Sequence, residues 1–317
     1  MKSSSSGNTL FLIIISFAAV YIIWGSTYMF VAITVEDIPP YLMSSIRFSS
    51  AALLLASLTI LLNRYHSVSA KQLKNAIFAG FLLIGCGTGG VAWALQFVDS
   101  GFTALVISGQ PLLIVLMMWA IDRKRPATQS FGGIFLSMLG MYLLVSQNEL
   151  IEHSDQWKGI AAILFCMVAW GFGSIFVTKV DLPKPQMINN ACQMLSSGFF
   201  LLLFSFILES PRNFEFSSIS TNGWLALSFL IVFGAVIAFS AFNYLLTKVS
   251  PEKVATSTYV NPIIALILGW WIRDELVTVQ SIIAAGIMLL GVFFINSTPE
   301  QSKNFIRRLK LVGRRRV

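Results

Sequence analysis

Apolar residues in this chain fall in long unbroken runs, neither alternating as in a half-buried strand nor striped as in a soluble helix. Ten runs approach the roughly 20 residues a helix needs to cross a bilayer: 10–33, 41–62, 73–95, 102–121, 129–146, 159–178, 187–208, 223–246, 254–272 and 279–296. Asp and Glu fall outside all ten, and Arg47 falls well inside the second. The pattern predicts an all-α integral membrane protein of ten transmembrane helices. Around them lie a lead (1–9), a connection between halves (147–158) and a tail (297–317), with no stretch long enough for a separate soluble domain. The first run is uncharged from Asn8 to Val35 and has no small-residue cleavage site, so it reads as a retained span rather than a signal peptide.

Composition agrees. Of 317 residues, 56% are hydrophobic and 11% charged, against roughly 25% charged in soluble domains. Cys86, Cys166 and Cys192 lie inside predicted spans, which excludes a disulfide framework and leaves small apolar packing as their expected role. His66 and His153 fall in connections on opposite sides and cannot share a metal. No cofactor or metal is expected.

Net charge is +8, and its placement is informative. When the connections are alternated, Lys2, Arg64, Lys71, Lys74, Arg123, Lys124, Arg125, Lys179, Lys184, Lys248, Lys253 and the tail's basic residues share one side. The other holds Lys158, Arg212 and Arg273. The positive-inside rule then puts both termini in the cytoplasm. The tail reads either as a basic amphipathic helix on anionic lipid or as a solvated topology anchor. Nucleic-acid binding is not expected there, and oligomeric state is not specified.

The chain also resembles itself. Trp24-Gly25 recurs as Trp170-Gly171, an offset of 146. Beyond an insertion around 209–222 the offset becomes 151: Leu95 meets Leu246, Ala104 meets Ala255, Pro111 meets Pro262, Trp119 meets Trp270, Gln129 meets Gln280 and Gly140 meets Gly291. Each unit, 10–146 and 159–296, holds five spans. An odd number makes the second enter the membrane from the opposite side, giving two inverted five-helix repeats. That architecture is frequent among secondary transporters, with cargo bound near the midplane between repeats.

Trp24-Gly25-Ser26-Thr27, Ile46-Arg47-Phe48 and Pro111 resemble the first repeat of EamA-type members of the drug/metabolite transporter superfamily. Trp170-Gly171, Asn261-Pro262 and Asp274-Glu275-Leu276 resemble the second. The resemblance runs from about Leu10 to Asn296. It implies a ten-span transporter of the bacterial inner membrane, commonly exporting amino acids, related metabolites or toxic compounds. One departure is Ile121-Asp122-Arg123-Lys124, where such repeats often end span four with Gly-Glu. The structural role of that glutamate is therefore not carried over to the first repeat.

Arg47 is the sharpest candidate, since an arginine at a helix centre costs about 2.5–3.5 kcal/mol on insertion scales. Its permanently charged guanidinium reads either as a contact for a cargo carboxylate or as a tie to backbone carbonyls. Its repeat partner is the neutral Gln193. Thr27, Gln110, Gln193, Asn243 and Asn261, with Ser26, Gln96, Ser108, Asn190, Thr256 and Thr258, are polar and mid-span, so they should face other helices or a wet cavity. Gln110 and Asn261 each precede a proline, where an amide either satisfies a freed carbonyl or lines a cavity. Trp24, Trp93, Trp170, Tyr244 and Tyr259 either line a cavity or pack; Trp157, Trp224 and Trp271 suit the interface.

Gly85-Cys-Gly-Thr-Gly-Gly90 fits G-x-G-x-x-G formally. Inside an apolar helix it has no strand-to-helix turn to cradle a phosphate, and it reads as close packing or flexing. The acid pairs Glu36-Asp37 and Asp274-Glu275 are expected to be solvated. An enzyme would need acids or His clustered at one face, and here they are scattered. No Asp, Glu or His within a span offers a proton-coupling carboxylate or a hold for a lipophilic cation. The expected function is alternating-access export of amino acids or related small metabolites, with drug or dye efflux as the alternative.

Overall fold

The computed structural model describes residues 3–64, 66–94, 97, 103, 106–123, 128–146, 156–209, 211, 214–273, 278–297 and 300–301. The basic tail beyond 301, most of the connection 147–158, Gln96 and Asp274-Glu275 lie outside them. Among the described residues there is no strand. The helices are α1 (Ser3–Asp37), α2 (Pro40–Leu61), α3 (Ala70–Ala94), α4 (Gln110–Asp122), α5 (Thr128–Val145), α6 (Gln156–Lys179), α7 (Gln186–Leu208), α8 (Thr221–Leu246), α9 (Ser257–Arg273) and α10 (Val279–Asn296). Helices satisfy their own backbone groups, as a hydrocarbon solvent requires. Seven of them, α1, α2, α3, α6, α7, α8 and α10, are long and apolar enough to cross a membrane, while α4 and the Ser130–Leu143 part of α5 are shorter apolar helices.

Prolines set several boundaries. α1 runs for 35 residues, past the expected end at 33, and stops before Pro39-Pro40, where Pro40 opens α2. Pro111 lies in the first turn of α4, so it starts that helix instead of interrupting a span from 102. Val254, where the expected ninth span begins, closes a one-turn helix, Pro251–Val254, and α9 starts at Ser257 and carries Pro262 inside it. α3 opens on a capping box between Ser69 and Gln72. Both α3 and α8 widen into π-helix at their centres, over Phe81–Thr88 and Leu230–Ala238.

Helix packing follows small residues. α2 lies against α7 and α5 against α10. Ser45 Oγ donates to Gly198 O at 2.8 Å, and the Tyr41 and Phe204 rings are 5.8 Å apart, so α2 and α7 run antiparallel. α5 and α10 are also antiparallel: Ser137 Oγ donates to Met288 O and Gln280 Nε2 to Leu143 O. A Cβ at Gly291 would lie 2.5 Å from Gly133 O, so that interface closes only without one. α1 packs on α8 and α9, and α6 on α3 and α4.

The two ends of the bundle are tied differently. At the end bearing Arg64, Lys71, Lys179 and Lys248 (the basic end), Lys179 pairs with Asp122, an acid at the position where the family resemblance has Gly-Glu. There Gln72 Nε2 donates to Asp181 Oδ2 and Asn75 Nδ2 to Asp181 O. At the other end, Glu209 accepts from Tyr41 N at 2.6 Å and Leu42 N at 3.1 Å, completing the first turn of α2. Asp37 accepts from Ser220 N and Oγ at the start of α8. Asp37, expected from sequence to be solvated, is half-buried and also accepts these bonds at the α8 N-terminus, an end that favours an anion.

Candidate functional site

The two Trp-Gly pairs place the centre of the bundle. A Cβ at Gly25 would lie 2.6 Å from Ile264 Cβ and 3.1 Å from Asn261 O, so glycine lets α1 close on α9. Gly171 does the same for α6 against Gln110 and Met117 of α4. Each preceding tryptophan faces a π segment. Trp24 Nε1 donates to Gly234 O at 3.2 Å, and a Cβ at Gly87 would lie 2.7 Å from the Trp170 ring. π-helical bulges recur at functional sites because they expose backbone and re-aim side chains. Trp24, Trp170 and Phe242 meet with ring centroids 5.2–5.8 Å apart.

These rings line a cavity of about 230 Å³ that also touches Thr27, Ser44, Arg47, Phe48, Thr88, Gln110, Cys166, Met167, Gly234, Phe239, Ser257, Thr258 and Asn261. Among its described lining residues there is no Asp or Glu. Arg47 is the one charged residue lining it, and it is only 6% exposed. Its Nε has no hydrogen-bond partner, and its Cζ stands 4.9 Å from the centroid of the Phe48 ring. A Cβ on Gly234 would fall 2.7 Å from Nη2, so the guanidinium occupies space that only glycine leaves free. Among the described residues no backbone carbonyl ties Arg47.

Gln110 Nε2 donates to Met167 O at 3.0 Å. Asn261, with its amide in the orientation that satisfies both ends, donates to Ser257 O at 3.0 Å and Tyr21 O at 3.3 Å. Tyr21 and Met167 stand 146 residues apart, so the two amides make repeat-equivalent links, α9 to α1 and α4 to α6. Asn261 also serves a carbonyl one turn back in its own helix, as expected beside a proline; Gln110 reaches across to a neighbour instead.

Trp24, Thr27, Arg47, Gln110, Trp170 and Asn261 thus meet at one cavity. Thr258 joins them, whereas Trp93, Gln193, Asn243 and Tyr259 lie elsewhere. Gln193 and Asn243 belong to a buried amide network toward the basic end. Asn243 Nδ2 donates to Asn190 Oδ1 (2.8 Å) and Gln193 Oε1 (3.3 Å), Asn190 Nδ2 to Ser240 Oγ, and Gln193 Nε2 to Asn189 Oδ1. Beside it, Tyr21 Oη and Thr256 Oγ1 are 2.6 Å apart. Tyr259 is fully buried among Val115, Ile134, Met141 and Met288. Trp93 packs on Phe97, ring centroids 4.7 Å apart. Sequence reasoning did not select Ser44, Met167, Phe242 or the cavity-facing role of Cys166. Cys166 lies one turn before Trp170, a helical spacing that signals a shared face.

Two segments, 11–146 and 157–297, match the EamA-like transporter family. The chain is similar to the uncharacterized inner membrane transporter YedA of Escherichia coli (strain K12), 34% identical over 279 residues, 87% of this chain and 88% of that protein. It is also similar to the uncharacterized transporter YoaV of Bacillus subtilis (strain 168), 25% identical over 299 residues, 92% and 99% of the two chains. A solved protein crystal structure shares the fold with a TM-score of 0.74 at 17% identity, over 89% of this chain and 95% of that one.

Proposed function

We propose that this chain, which belongs to the EamA-like transporter family, is a secondary transporter that exports amino acids or related small metabolites by alternating access. Family membership supports a membrane transporter over an enzyme, and the inner-membrane relatives support a multi-pass inner-membrane location. In this reading both termini are cytoplasmic, the basic end faces the cytoplasm, and 10–146 and 159–296 are two inverted five-helix repeats. Helix packing supports the repeats. Exchanging α1–α5 for α6–α10 maps the packing pairs onto one another, and the equivalent helices α2 and α7 run antiparallel, as an inversion requires.

The observation that carries the cargo reading is Arg47: a nearly buried cation on the cavity wall with no carboxylate or carbonyl partner among the described residues. An unpaired charge is costly inside a membrane, and a cargo carboxylate would complete it with a charge-assisted, two-pronged hydrogen bond. Tryptophan and phenylalanine faces would hold the cargo's apolar part.

The test is counterflow in proteoliposomes preloaded with unlabelled amino acids, comparing the wild type with Arg47→Gln. Saturable exchange of at least one amino acid is expected, with at least a tenfold loss in the variant at equal folded yield. Equal loss of transport and yield would instead make Arg47 structural. The aromatic lining favours a second reading, efflux of drugs or lipophilic toxic compounds. Competition by lipophilic cations without exchange of any amino acid would select it.

A further inference from the structure

The hydrogen-bonding capacity left on the cavity wall is one-sided. Arg47 offers only donors. On α4 and α9, Gln110 has committed its NH2 group to Met167 O and Asn261 its NH2 group to Ser257 O and Tyr21 O. The Thr258 hydroxyl donates to Ala255 O at 2.9 Å. What Gln110 and Thr258 still present is oxygen, an amide carbonyl and a hydroxyl lone pair, whereas both ends of the Asn261 amide are satisfied within the protein. Gln110 stands beside a proline and is anchored to the helix that carries Trp170-Gly171. It is nearly buried, 3% exposed, so its oxygen is held in a fixed position with little competing water. A wall of acceptors fits a group that carries only donors, and a cavity holding both that wall and Arg47 fits a molecule with an ammonium and a carboxylate.

We propose that the side-chain oxygens of Gln110 and Thr258 form the amine-recognising half of the cargo site. This rests on the amino-acid reading of the cavity and assigns the residues that separate an amino acid from a simple carboxylate. These neutral oxygens offset the ammonium's desolvation by hydrogen bonding alone, so this half of the site works without an acid in the membrane.

The experiment compares counterflow of labelled phenylalanine and leucine with that of their deamino analogues, hydrocinnamate and isocaproate, in wild-type proteoliposomes. At least a tenfold preference for the amino acids is expected. Gln110→Met and Thr258→Val should each lower amino-acid exchange toward the analogue's rate while leaving analogue exchange in place, a split that a folding defect does not produce. Analogues exchanged as fast as amino acids by the wild type would overturn the amine site and leave the carboxylate role of Arg47 standing. Exchange of neither class would overturn both. If a variant does not fold, the wild-type ligand series decides.

Discussion

Arg47 and Gln193 occupy matching positions, 146 residues apart, on helices that pack against each other, yet they solve opposite problems. Gln193 is fully buried, and its amide is spent within a network whose members satisfy one another. Arg47 is nearly as buried and has nothing comparable. The neighbours explain the difference. Gln193 faces Asn243, one of several amides at the basic end, whereas Arg47 faces Gly234, which offers no side chain. One position closes the scaffold, and in the proposed reading the other leaves its charge for the cargo. On that reading, stability and function have separated between two repeat-equivalent positions.

Reversing the assignment should have the largest effect. Gln193→Arg places a charge in a sealed amide network, and an uncompensated buried charge costs about 3–5 kcal/mol; folded yield by size-exclusion chromatography should collapse. The reciprocal Arg47→Gln should cost transport but not stability. Because an arginine at mid-helix carries about 2.5–3.5 kcal/mol of insertion cost, the melting temperature in detergent should stay level or rise. A fall of several degrees would mean that Arg47 holds the fold together.

Gly234→Ala keeps the charge and moves it, since the new Cβ would meet Nη2 at 2.7 Å and Thr27 Cγ2 at 3.1 Å. Misplacement of a positioned group weakens its contacts steeply, so a loss of transport of about tenfold is expected at normal yield. Glu209→Gln should have the smallest effect. It removes the charge that caps α2 at Tyr41 and Leu42, worth about 0.5–1 kcal/mol, and should lower the melting temperature slightly without changing cargo preference.

Much of this scaffold was legible in the chain because lipid is a demanding solvent. Hydropathy alone located the long helices, and the recurrence of Trp-Gly and of an amide before proline identified four residues that meet at the cavity. Arg47 stood out because a charge inside an apolar run is rare. The gap between helices that each inward residue faces was not legible. Mid-span polarity puts Asn243 and Gln110 in the same class, yet one closes a network and the other lines a cavity. The π segments were equally hidden, since Phe81–Thr88 and Leu230–Ala238 carry no hydropathy mark that sets them apart from α-helix.

The proposed cargo site would also make the protein an electrical device. In the proposed cycle, a cavity that opens alternately to the two sides shifts the membrane's field across Arg47 each time it turns. A full elementary charge moved through 100 mV changes the energy by about 2.3 kcal/mol. Empty, the cavity carries that charge; filled by a carboxylate alone it is neutral, and filled by an amino acid it is positive again. Voltage therefore biases which way the unloaded protein faces, and the sign of the current it passes would report the charge of whatever it carries.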